Sequence, residues 1–122
     1  MSLDYAYHAD ATAHTQTWDT EAGVAILEKN YFYIDEKLME SMESILSDNE
    51  PGKWPDFIFI HIVGLDFITH DQGVGAESVA EYLQKLDEKL GDIFKILKRT
   101  EAQKNREVIA FLTSDHGFDN RS

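Results

Sequence analysis

The sequence has 122 residues, of which 43% are hydrophobic and 28% are charged, and it contains no cysteine. This length suits one domain with one core, and the composition is that of a folded chain, not of a disordered one. The missing cysteines exclude disulfides and thiolate metal sites, and the formal net charge of −12 argues against nucleic-acid binding through a basic face.

The N-terminal part of the chain shows no regular period. Residues 1–20 hold His8 and His14 among Ala, Thr and Asp, which predicts an irregular lead-in. Unpatterned histidines of this kind are usually solvated, although these two stay open as metal ligands. Residues 21–34 form an apolar run that fits a helix or a strand. No segment approaches the ~20 apolar residues of a membrane span.

A helix is predicted from Asp35, which we interpret as its N-cap, to the turn-forming residues 47–53. Its apolar face repeats at helical spacing and consists of Leu38, Met39, Met42, Ile45 and Leu46. Residues 56–64 are then almost continuously apolar and β-prone, which predicts a strand buried on both faces. His61 in this strand is expected to be a core histidine with satisfied hydrogen bonds.

A polar loop over residues 65–75 and a long helix are predicted next, and residues 108–113 then predict a second buried strand. The apolar positions of the long helix are Val79, Leu83, Leu86, Leu90, Ile93 and Leu97. Strand, helix and strand in this order form a right-handed crossover between parallel strands. We therefore expect an α/β fold, part of a three-layer α/β/α sandwich, with residues 1–122 forming a single domain or a partial catalytic domain. An exposed strand edge would allow self-association.

Two clusters of metal-binding residue types follow the two predicted strands. Asp66 and His70 come after the first strand, and Asp115 and His116 come directly after the second. Because the carboxyl ends of parallel strands meet at one edge of a sheet, we expect these four side chains to lie close together. Carboxylate and imidazole ligands suit Zn²⁺, with Mn²⁺ or Fe as alternatives.

The motifs around these clusters carry a family resemblance. The sequence FIHIVGLDFITH ends at His70, and the sequence LTSDHGF ends at Phe118. In this order they resemble the type I phosphodiesterase and nucleotide pyrophosphatase branch of the alkaline phosphatase superfamily, most clearly over residues 56–118. The GPI ethanolamine phosphate transferases of that superfamily have a similar arrangement, so the branch stays open. Thr69 departs from the pattern, because relatives usually carry Gly before the histidine.

The resemblance implies a phosphoester hydrolase with two divalent metal ions that works through a covalent phospho-enzyme intermediate on a small-molecule phosphoester. It assigns Asp66 and His70 to one ion, together with a distal histidine, and Asp115 and His116 to the other, together with an upstream Asp and a Thr or Ser nucleophile. No segment of this sequence matches the nucleophile, so the catalytic residues stay unassigned and the chain is expected to be incomplete and inactive by itself. Phosphoethanolamine transferase or phosphomutase activity, or a catalytically silent fragment, are the alternatives.

Overall fold

The structure, a computed structural model, describes residues 20–47, 55–104 and 106–119. Residues 1–19 of the predicted lead-in, which include His8 and His14, lie outside the described residues. The helices of the described ranges are α1 (Thr20–Leu27), α2 (Tyr31–Ser47), α3 (Gly64–Gln72) and α4 (Glu77–Lys104). The chain divides into two compact units, Met1–Gly64 and Leu65–Ser122. None of the helices in the described part of the chain is both long and apolar enough to span a bilayer.

The junction between α1 and α2 resolves the ambiguous apolar run into two helices. Lys29 adopts a left-handed conformation with φ of 58°. Its N–H donates to the carbonyl of Ile26 at 3.0 Å, and the N–H of Asn30 donates to the carbonyl of Ala25 at 2.7 Å. This pair of bonds is a Schellman motif, which satisfies the last carbonyls of α1. Asn30 then occupies the N-cap of α2, a position that favours Asn.

The core of the first unit lies between α1 and α2, which pack against each other. The Tyr33 hydroxyl also donates to the Glu21 carboxylate at 2.9 Å and links the two helices. Among the described residues of this unit, the buried apolar side chains are Ala25, Tyr31, Ile34, Met39, Leu46 and Val63. The predicted N-cap was wrong, because α2 begins at Tyr31 and places Asp35 inside the helix, where it is fully buried.

In the second unit, the predicted loop over residues 65–75 is largely helical. α3 continues to Gln72 and ends at Gly73, whose φ of 86° suits glycine and whose N–H donates to the Thr69 carbonyl at 2.9 Å. The long helix is confirmed as α4, with 28 residues. Its buried face includes Val79, Tyr82, Ile93 and Thr100.

The expected α/β fold with parallel strands was wrong. Residues 57–63 and 106–114 have no regular secondary structure, and no strand or sheet forms anywhere in residues 20–47, 55–104 and 106–119. Several of their apolar side chains are exposed instead of buried, since Phe57 is 76% exposed and Phe111 is 91% exposed. The physical reason is that a β-strand depends on hydrogen bonds to a neighbour, which a local run of β-prone residues does not specify. These two segments also fall into different compact units.

Candidate metal site

Helix α3 places Asp66 and His70 on one face, because residues four apart are neighbours on a helix surface. The Nε2 atom of His70 lies 3.6 Å from Oδ1 of Asp66. Between them, Thr69 is buried and its hydroxyl donates to the carbonyl of Leu65 at 2.7 Å. The helix therefore accommodates the Thr69 side chain directly before His70.

The segment that follows α4 places His116 beside Asp66. Its beginning is tied to α4 by a hydrogen bond of 3.2 Å from the Val108 N–H to the Glu101 carboxylate. The Nε2 atom of His116 then lies 3.4 Å from Oδ1 of Asp66 and 3.7 Å from Oδ2 of Asp115. All four residues that the sequence predicted as metal ligands thus lie together in the second unit.

Local hydrogen bonds fix the conformation of the turn that carries His116. Its backbone N–H donates to Oδ1 of Asp115 at 3.0 Å, and its carbonyl accepts from the Ser114 hydroxyl at 2.5 Å. Hydrogen bonds between side chains and nearby backbone groups stabilise a local chain conformation without a sheet. The motif sequence therefore shapes the site locally even though the predicted strand before it is absent.

The ring of His116 is held in one tautomer. Its Nδ1 lies 3.0 Å from the carbonyl oxygen of Gly117, and because a carbonyl only accepts, Nδ1 carries the proton. In the neutral ring, Nε2 then presents a lone pair towards Asp66. The hydrogen bond to Gly117, followed by the charges of Asp115 and Asp66, raises the pKa of His116 above its usual value.

The Oδ1 atom of Asp66 is the centre of this arrangement. This oxygen atom is buried and has no hydrogen-bond partner, while the Asp66 side chain as a whole is 42% exposed. The two imidazole nitrogens near it, at 3.4 Å and 3.6 Å, are too far for a hydrogen bond of ~2.7–3.2 Å. Two ligands of one tetrahedral zinc ion, each at ~2.0–2.2 Å from it, are themselves roughly 3.4 Å apart. The spacing and chemistry of these donor pairs fit a divalent cation.

The fit is limited to pairs of ligands. Within the described residues, no group of three or more His, Asp or Glu side chains is arranged to hold a metal ion. Oδ1 of Asp66 also lies near both histidines, so the geometry does not separate the two ligand pairs that the resemblance implied. The side chains of His70 and His116 are 69% and 52% exposed, so the site is open to solutes.

Phe118 contacts both histidines, which the sequence did not reveal. Its ring lies edge-on to His70 with centroids 4.8 Å apart, and to His116 with centroids 5.4 Å apart. Such edge-to-face contacts restrict the orientation of both rings. Phe118 belongs to the quoted motif, but only the folded chain shows that its ring reaches His70.

Asp35 is the second residue whose role the sequence missed. Its two carboxylate oxygens accept hydrogen bonds from the N–H of Val63 at 3.0 Å and the N–H of Gly64 at 2.9 Å, at the start of α3. Burial raises the pKa of Asp35 to about 6, while these two hydrogen bonds act in the opposite direction. No periodicity in the sequence pairs Asp35 with residues so distant in the chain.

Comparison with known proteins agrees with the motifs. A family model described as type I phosphodiesterase / nucleotide pyrophosphatase matches residues 2–122. No curated protein and no solved structure gives a significant match.

Proposed function

The chain belongs to the type I phosphodiesterase / nucleotide pyrophosphatase family, and from this premise we propose that it acts on phosphoesters through two divalent cations. Asp66 and His70 hold one cation, and Asp115 and His116 hold the other. Zinc suits these oxygen and imidazole donors, and Mn²⁺ or Fe are alternatives. Hydrolysis of a small-molecule phosphoester is the reaction that this family membership favours.

The buried Oδ1 atom of Asp66 is the observation that carries the proposal. A carboxylate oxygen with no hydrogen-bond partner, removed from water, is costly unless a positive charge lies beside it. Two imidazole nitrogens lie near this oxygen at ligand-pair spacing, not at hydrogen-bond spacing. A cation held by Asp66 and His70 would satisfy the oxygen.

The protein residues have distinct tasks in this proposal. The carbonyl of Gly117 holds the proton on Nδ1 of His116, so that Nε2 is free to act as a ligand. Phe118 fixes both imidazole rings. Two bound cations about 4 Å apart would stabilise the attacking and leaving oxygens of an in-line displacement at phosphorus.

The charge of the chain supports a cation-dependent mode of substrate binding. A formal net charge of −12 repels phosphate. Each proposed ligand pair also contains one carboxylate, from Asp66 or from Asp115, which adds negative charge at the site. A phosphoester is therefore expected to bind only after cations have reversed the local charge.

The proposal is tested by titrating Zn²⁺ into the chain by calorimetry and then adding inorganic phosphate. We expect zinc binding that is lost in the His70→Ala/His116→Ala double variant. His61→Ala is the matched control. This histidine lies in residues 57–63 of the first unit and is not among the predicted ligands. Phosphate should bind the zinc-loaded chain and not the metal-free chain.

Equal zinc affinity in wild type and double variant would place any metal elsewhere and would overturn the proposal. The histidines of the lead-in, His8 and His14, would then be tested next. Phosphate binding to the metal-free chain would contradict the cation-dependent mode of binding.

A further inference from the structure

The carboxylate of Asp35 accepts hydrogen bonds from the beginning of another helix, α3. Asp35 lies inside α2 and is fully buried. It accepts one hydrogen bond from Val63 and one from Gly64, at 3.0 Å and 2.9 Å. Gly64 is the first residue of α3, so both donors belong to the N-terminus of that helix.

The first N–H groups of a helix have no acceptor within the helix, and the helix dipole favours a negative charge near them. A cap of this kind usually comes from the residue just before the helix, such as Ser, Thr, Asn or Asp. Here that residue is Val63, which has no side-chain acceptor. Asp35, which lies in α2, caps α3 instead. Each of its two carboxylate oxygens accepts a hydrogen bond from one of the two N–H groups.

This cap lies very close to the candidate metal site along the chain. Gly64 is held by Asp35, and Asp66 follows two residues later in the same helix. Metal ligands must be held to within about 0.5 Å by their supporting residues. The cap at the first residue of α3 therefore acts on the helix that carries Asp66.

We propose that Asp35 is a positioning residue, which fixes the start of α3 and thereby the place of Asp66. The metal-binding part of this inference depends on the proposed function; the fixing of α3 does not. The competing explanation is that Asp35 supports only the packing of α2. The two explanations differ in what happens to α3 when the carboxylate is removed.

The test compares Asp35→Asn with Met39→Ala. Asn is nearly isosteric with Asp but replaces one acceptor oxygen with a donor, so it cannot accept from both N–H groups. Met39 lies one turn further along α2 and is equally buried. It serves as the matched control for a core change in the same helix. The measurements are amide hydrogen exchange of the α3 residues and zinc affinity by calorimetry, under conditions where circular dichroism shows both variants folded.

We expect Asp35→Asn to accelerate exchange in α3 but not in α4, and to lower zinc affinity by about tenfold, the smaller of the effects typical for residues that orient metal ligands. Met39→Ala should leave both quantities near the wild-type values. Unchanged α3 exchange in Asp35→Asn, or an equal effect of Met39→Ala, would overturn the inference. Absence of zinc binding that depends on His70 and His116 in wild type would refute the proposed function, while the exchange data would still decide whether Asp35 fixes α3.

The inference also has a test in the unaltered chain, in case Asp35→Asn does not fold. The amide protons of Val63 and Gly64 have no acceptor within α3, so without Asp35 they would exchange rapidly. Hydrogen bonds to a buried carboxylate should protect both of them in wild type. Rapid exchange of these two amides in a chain whose α2 amides are protected would overturn the inference.

Discussion

Nε2 of His116 lies 3.4 Å from Oδ1 of Asp66, which has no hydrogen-bond partner. The other ring nitrogen, Nδ1, lies within hydrogen-bond distance of the Gly117 carbonyl. In the neutral ring the proton is therefore on Nδ1, and Nε2, which faces Asp66, has the lone pair. The same nitrogen can take up a proton or bind a metal ion, but not both. Protons and cations therefore compete for this position.

Zinc affinity should fall on acidification. The Gly117 carbonyl, Asp115 and Asp66 raise the pKa of His116, so its protonation begins to compete above the ordinary value of 6.5. Below its pKa, affinity should fall about tenfold per pH unit for one displaced proton. Calorimetric titrations between about pH 5 and pH 8 measure this. His116→Ala should bind more weakly and show a shallower pH dependence.

The affinity itself should be weak even at high pH. Stable zinc sites generally use three or four protein ligands, whereas the described residues offer pairs. Tight binding by the wild-type chain would mean that further ligands within the chain take part. A pH-independent affinity would exclude His116 as a ligand.

The 122-residue chain should not turn over a chromogenic phosphodiester in the presence of Zn²⁺ or Mn²⁺. The resemblance assigned the nucleophile role to no Thr or Ser of this sequence, and attack at phosphorus needs an activated nucleophile. The measurement is release of the chromophore by repeatedly purified protein. Turnover that survives purification and disappears in Asp115→Ala would show that the chain supplies its own nucleophile.

Local patterns in the sequence predicted some of the parts of the molecule that depend on local interactions. The spacing of Val79 and Ile93 predicted α4. The stretch that holds Asp66 and His70 was predicted as a loop, and this was wrong because most of it forms α3. The turn at Asp115 is held by hydrogen bonds to its neighbours.

Other features that the sequence did not predict correctly depend on distant partners. The apolar runs in residues 56–64 and 108–113 indicated strands, but strand pairing depends on a second chain segment that such a run does not specify. Asp35 resembled a helix N-cap, and only the folded chain shows that it caps α3 instead of its own helix. The contact of Phe118 with His70 is of the same kind.

Phe118→Leu should weaken metal binding without unfolding the chain. The variant loses edge-to-face contacts with His70 and His116, and one aromatic pair contributes about 1 kcal/mol, which corresponds to roughly fivefold in zinc affinity. The ring protons of both histidines should also shift in NMR spectra. Phe111→Leu is the control, because Phe111 is 91% exposed. Equal effects of the two substitutions would exclude a role of Phe118 in orienting the rings.

The two helix ends with left-handed residues should respond oppositely to substitution. Gly73→Ala should lower the free energy of unfolding by about 1 kcal/mol, because Ala at the φ of 86° found here is strained. Lys29→Gly should raise the free energy of unfolding by up to about 1 kcal/mol, because a left-handed backbone conformation is strained for Lys and not for Gly. Urea unfolding of both variants measures the changes. Stabilisation by Gly73→Ala would contradict the cap at the end of α3.

The stability of the chain relative to Asp35→Asn should decrease as pH rises from about 4 to about 6. Burial raises the pKa of Asp35 from 3.8 to about 6, so within this window the folded chain holds a proton that the unfolded chain has released. Stability must then fall with increasing pH, by on the order of 3 kcal/mol over the whole window. Asn does not titrate, so the difference between the two proteins isolates the contribution of Asp35 from those of the other carboxylates. Urea unfolding at several pH values measures this difference. A difference that stays constant, or that grows in favour of wild type as pH rises, would mean that the hydrogen bonds from Val63 and Gly64 outweigh the cost of burying the charge.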